Sequence, residues 1–255
     1  MLPLTFILQC VNNAFLLGSA LLCLHAGRLA LPNPYHRAAW RLAGAGFLVH
    51  ALDLVVQHVF GGVALTAGNE SATMHAYLLW LPILNHGRTF LIVGLLLGLL
   101  LLAAYRREPD ARFWRVAAAL MAVGFVVGTV LGVAEGRFTN AGHYSAVSVW
   151  DMIELLLLMA TLFTLLLTSR ADRALWGLLS AYGLSLALGV FSFTLLSQIG
   201  VMDAWHPPPW TLQAERMVCH LMMVGFATWR VAAAKRGRKV PAMLEHSARP
   251  VPTIG

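Results

Sequence analysis

Charge is scarce in this sequence. Asp, Glu, Lys and Arg together make up 11% of 255 residues, and lysine occurs only at Lys235 and Lys239. That shortage excludes a water-soluble domain, because a soluble surface needs far more ionic side chains. With both lysines beyond the last apolar stretch, a retinal Schiff base midway along that stretch is excluded as well. Cysteine is sparser still. Cys10, Cys23 and Cys219 share no CxxC or zinc-finger spacing, so neither a disulfide framework nor a zinc ribbon is expected. The sequence also lacks GxGxxG, GxxxxGK[ST] and GxSxG, the turns that cradle dinucleotides, cradle phosphates or present a nucleophilic serine. It has no 20–50-residue repeat.

What is present is apolar. Hydrophobic residues form 59% of the chain, with a mean hydropathy of +0.72. A bilayer core about 30 Å thick takes roughly 20 residues of helix. Seven stretches meet that need: 4–25, 39–63, 75–104, 113–135, 146–168, 174–198 and 208–230. The sequence therefore predicts an all-α integral membrane protein, a bundle of seven transmembrane helices over 1–232 with a basic cytoplasmic tail over 233–255. The first stretch carries its charge after the apolar run rather than before it, which predicts a retained span rather than a cleaved signal.

Orientation follows from lysine and arginine, which accumulate on the cytoplasmic side. Arg28, Arg37 and Arg41 flank the first connection, Arg106, Arg107, Arg112 and Arg115 the third, and Arg170 and Arg173 the fifth. Arg230, Lys235, Arg236, Arg238, Lys239 and Arg249 follow the last stretch, whereas Arg137 alone falls on the other side. The N-terminus is therefore expected outside and the C-terminus in the cytoplasm, with the inner membrane of a bacterium as the expected location. The net charge of +7 then serves orientation and attraction to anionic lipid, and no nucleic-acid partner is implied.

Small residues in "RLAGAGF" and "AVGFVVGTVLG" predict faces where helices pack closely. Pro82 falls inside the third stretch and is expected to kink it. The eight tryptophans mostly fall near stretch ends and read as an interfacial belt.

Against this background the polar residues inside the stretches stand out. Gln213, Arg216 and His220 lie three and four apart on the seventh, and His50, Asp53 and Gln57 have the same kind of spacing on the second, so each set forms one stripe. Read from the inner end the two stripes match, and Asp53 is expected to pair with Arg216. Counting helical rise places His50 and His220 about 18 Å below the outer surface and His86 about 16 Å. Arg88, Asp151, Glu154 and Glu215 add further charge, Arg88 being a second partner for Glu154 or Asp151. Charges in hydrocarbon cost at least about 2.5–3.5 kcal/mol on insertion scales, so they turn inward and pair. Gln57, Gln213, Asn12 and Asn13 read first as hydrogen-bonding glue between helices.

Three histidines at one level suggest three uses: axial ligands of a haem b, a metal site at His50, His86 and His220, or a proton path. The expectation that leads is a membrane subunit binding haem b for electron transfer with quinone. Asp53, Glu154, Asp151, Glu215, Gln57, Gln213 and Arg88 are then the proton or quinone contacts. The alternative is a non-catalytic ligand-sensing or scaffold subunit, with no cofactor, that packs against other membrane subunits. Absent inverted repeats argue against a carrier.

Overall fold

The computed structural model describes residues 4–29, 34–68, 70–105, 110–138, 153–164, 172–190 and 210–239. Among them the chain is entirely helical. Seven helices run α1 (Leu4–Arg28), α2 (Pro34–Ala67), α3 (Ala72–Tyr105), α4 (Ala111–Phe138), α5 (Ile153–Thr164), α6 (Arg173–Val190) and α7 (Trp210–Lys239). Five of these, α1 to α4 and α7, are long and apolar enough to cross a membrane.

Helices α1 to α4 and α7 extend past their apolar stretches for simple reasons. Hydropathy marks only the part suited to hydrocarbon, whereas hydrogen bonding continues until a cap or a breaker intervenes. At the start of α2, Pro34 occupies the first turn, where its missing N–H costs nothing. Ser71, Asp110 and Asp172 cap α3, α4 and α6: their side-chain oxygens accept the N–H of Met74 at 3.1 Å, Phe113 at 2.7 Å and Leu175 at 3.4 Å. Gly68, at φ +92°, closes α2 in a conformation that favours glycine. At the far end α7 continues to Lys239, past the expected boundary at 232. Its last turns, "AAAKRGRK", combine good helix formers with cations that suit a helix C-terminus.

Helix α1 packs against both α2 and α7, α2 against α3, α3 against α4, and α6 against α7. The α3–α4 pair is the tightest. Gly124, Gly128 and Gly132 recur every four residues along α4, and a Cβ on the first two would collide with the carbonyl oxygens of Phe90 and His86. On Gly132 it would stand 2.6 Å from the Ile83 Cα, next to Pro82. The backbones touch because these positions carry no side chain, as the glycine pattern led us to expect. Gly44 of α2 does the same against Leu24 of α1. Helix α3 remains a single helix through Pro82.

The core brings together Leu16 and Cys23 of α1, Trp40 and Phe47 of α2, Leu95 and Leu99 of α3, Leu158 of α5, Leu178 of α6 and Met223 of α7. Outward, Leu52, Val55, Val56, Val59 and Val63 of α2 and Val123, Phe125, Val126 and Val130 of α4 are exposed. Continuous valine-rich faces of this kind suit hydrocarbon as solvent. Trp80, Trp176 and Trp229 are exposed, consistent with a belt, but Trp40 is not: it is fully buried and donates Nε1–H to Asp172 Oδ2 at 2.7 Å. Its position near a stretch end conceals that α6 begins beside it. Trp150 and Trp205 lie outside the described residues.

Candidate functional site

The polar stripe of α2 faces inward. His50, Asp53 and Gln57 are half-buried, while Leu52, Val55 and Val56 between them point outward. Helical periodicity makes this separation unavoidable once one face is chosen.

The three residues divide between two networks. In the first, Gln57 Nε2 donates to Asp53 Oδ2 at 2.8 Å and to Asn85 Oδ1 at 2.9 Å, and Arg88 Nη1 lies 3.5 Å from the same Asp53 oxygen. The ion pair of Asp53 is thus made with Arg88 of α3, correcting the expected Asp53–Arg216 bridge. Helix α3 packs directly on α2, whereas α7 packs on α1 and α6. Matching depth along antiparallel helices does not fix which side chains pair. Of the two partners expected for Arg88, Glu154 and Asp151, the second lies outside the described residues.

In the second network, Tyr182 of α6 donates its hydroxyl proton to Glu154 Oε1 at 2.9 Å and stands 3.1 Å from His50 Nδ1. A tyrosine has one hydroxyl hydrogen. With that hydrogen committed to Glu154, the Tyr182 oxygen accepts from His50 Nδ1–H, which leaves the lone pair of His50 on Nε2. Glu154 and Tyr182 are each 2% exposed. The Tyr182 ring meets Phe47 edge-on at 5.0 Å and the His50 ring at 5.9 Å. Arg88, His220 and Arg216 are the charged or titratable neighbours of His50, so the two networks adjoin.

On α7, His220 is 5% exposed with its Nδ1 buried, and that nitrogen has no hydrogen-bond partner among the described residues. Arg216 is half-buried nearby. Gln213 ties α7 to α1: its carbonyl oxygen and its Oε1 accept from Asn12 Nδ2 at 2.8 and 3.1 Å. Asn13 of α1 approaches His58 Nδ1 at 3.1 Å. These are the expected interhelical ties. Glu215 is exposed, on a different face of α7 from His220, so it is removed from the networks. Asp151 lies outside the described residues.

His86 is buried on α3, its backbone against Gly128 of α4. Among the described residues no three His, Cys, Asp or Glu side chains stand close enough to hold a metal ion. A metal shared by His50, His86 and His220 therefore does not fit the residues present. For haem, the buried Nδ1 of His220, with no hydrogen-bond partner among the described residues, and Nε2 of His50 are candidate ligand nitrogens.

Comparison gives no further guide. No protein-family model, characterised protein or solved structure matches this chain.

Sequence reasoning missed Tyr182, Asn85 and the Asp172 cluster. Tyr182 carried a signal, since it lies mid-span in "SAYGLSLALGV", away from the interfaces where tyrosine usually sits. Asn85 is adjacent to His86 in the sequence and differs from it by one helical step.

Proposed function

We propose that this protein is an integral membrane subunit that transfers protons through its core, by way of His50, Tyr182 and Glu154. The observation carrying this reading is the unbroken hydrogen-bonded row of three titratable side chains on α2, α6 and α5. Glu154 and Tyr182 are buried and His50 is half-buried on the inward face of α2, positions where an unused ionisable group is costly and marks function.

The row works as a relay because each member both gives and takes a proton. His50 accepts a proton at Nε2 and releases the one on Nδ1 to the Tyr182 oxygen. Tyr182 passes its own hydroxyl proton to Glu154 Oε1. The outcome is a neutral Glu154 carboxylic acid, an unchanged Tyr182 and the other tautomer of His50. Loss of the Glu154 proton and reversal of the tautomer reset the row. Arg88, paired with Asp53, lies beside His50. The proposed orientation is N-terminus outside and C-terminus cytoplasmic in a bacterial inner membrane, supported by the arginine asymmetry.

A second reading is an electron-transfer subunit that exchanges electrons with quinone. The buried Nδ1 of His220, which has no hydrogen-bond partner among the described residues, favours it, since an imidazole that binds iron needs one nitrogen with its lone pair free. His220 and His50 are the residues to hold a haem b, which supplies a one-electron carrier when bound. The chain's part is then to keep those imidazoles neutral and dry, with Glu154 as proton acceptor.

Proteoliposomes test the first reading. An internal pH dye should report faster acidification under a potassium-diffusion potential than in protein-free vesicles, and Tyr182→Phe and Glu154→Gln should each slow it about tenfold or more. Parent protein no leakier than empty vesicles would overturn the relay. An absorption spectrum of detergent-purified protein tests the second: a Soret band with a reduced α-band supports haem. Failure of both measurements leaves the scaffold role.

A further inference from the structure

At the end of the bundle where α2 and α6 begin and α7 finishes is a cavity of about 310 Å³ that the relay does not use. Its walls include His36 from the first turn of α2, Asp172 and Arg173 at the start of α6, and Trp229 and Arg230 from the later turns of α7. This volume falls at the lower end of the range, about 300–1,000 Å³, typical of small-ligand pockets.

The charges lining it do not cancel. Asp172 is fully committed: Oδ2 accepts from Trp40 Nε1 at 2.7 Å and lies 3.0 Å from Arg230 Nε, while Oδ1 caps α6 through Leu175 N–H. The contact with Arg230 is an ion pair at Nε without hydrogen-bond geometry, so its guanidinium still has N–H groups to give. Arg173 is exposed and has no ion-pair partner among the described residues. Among the described residues, one guanidinium therefore stands uncompensated on the cavity, beside a second that is only partly used. Lys235 and Arg236, exposed on the next turn of α7, add to the positive potential at this end.

We propose that this cavity binds a phosphate group, supplied by the headgroup of an anionic phospholipid or by free phosphate in solution. Planar guanidinium groups match phosphate oxygens in pairs, which lysine does not. Trp229, 49% exposed beside Arg230, places an amphipathic ring where headgroups meet hydrocarbon. This inference is independent of the proton relay and rests only on the membrane reading of the chain.

The test is thermal melting of the full chain in neutral detergent. It is titrated with mixed micelles of phosphatidylglycerol, with micelles of phosphatidylcholine, or with inorganic phosphate. Ligand binding to the folded state raises the melting temperature saturably. A saturable rise with phosphatidylglycerol alone identifies the lipid headgroup as the source, and a matching rise with inorganic phosphate identifies the free anion. Arg173→Gln should weaken the apparent affinity about tenfold, as for one lost charge-assisted hydrogen bond, and Arg173→Lys should fall between. Arg115→Gln, an exposed arginine on α4 outside the cavity, should leave it unchanged. No saturable rise with any phosphate source would overturn the proposal. So would equal loss in Arg173→Gln and Arg115→Gln, since that is general attraction between a basic surface and an anion.

Discussion

Tyr182 holds Glu154 and His50 at once, donating to the carboxylate at 2.9 Å and standing 3.1 Å from the imidazole Nδ1. One phenol thereby links three helices, and its removal should be felt as stability as well as transfer. Tyr182→Phe preserves the ring contact with Phe47 and leaves a buried carboxylate without this donor. An unsatisfied buried polar group costs roughly 1–3 kcal/mol. Thermal melting in detergent should fall accordingly, and Glu154→Gln with Tyr182→Phe should lose less than the sum of the single changes. A Tyr182→Phe protein that melts like the parent would remove the hydrogen bond from the account.

The Asp53–Arg88 bridge gives a sharper choice between helices. Asp53→Asn leaves a guanidinium only partly compensated inside the bundle, where breaking a buried pair costs roughly 3–5 kcal/mol. A double-mutant cycle with Arg88→Gln should show coupling of about 1 kcal/mol or more, whereas the same cycle between Asp53 and Arg216→Gln should be close to additive. Coupling to Arg216 instead would restore the pairing expected from the stripes and discard the α2–α3 assignment.

Close packing of α3 on α4 predicts opposite fates for two glycines. A side chain at Gly128 collides with the His86 carbonyl, so Gly128→Leu should destabilise by roughly 1–3 kcal/mol or more. At Gly18 of α1 an added Cβ meets nothing within 4 Å, so Gly18→Ala should be neutral or stabilise by up to about 1 kcal/mol. Melting curves of both variants beside the parent decide it; equal tolerance at the two positions would contradict the packing.

Orientation is open to direct measurement. A reporter fused after Lys239 should be active only in the cytoplasm, and one inserted near Asn69 only outside. Reversed signals would invert the proposed topology and exchange the faces to which the relay and the phosphate cavity open.

Much of this protein was legible in its sequence. Scarcity of charge and long apolar runs determined the helical class, because backbone polar groups in hydrocarbon must be satisfied within each segment. Glycines four apart foretold the close faces of α4. Spacing on α2 determined that His50, Asp53 and Gln57 share one inward face. Period and rise describe one helix at a time. They state how far down a residue lies and which way it leans relative to its own neighbours, but not which helix stands opposite. Tertiary structure alone decided that Asp53 meets Arg88 rather than Arg216, that Glu215 turns away, that Trp40 is buried against Asp172, and that Tyr182 joins His50 to Glu154. Those outcomes depend on the lateral order of helices, which is set by the summed packing of many small and apolar side chains and has no counterpart in any single motif.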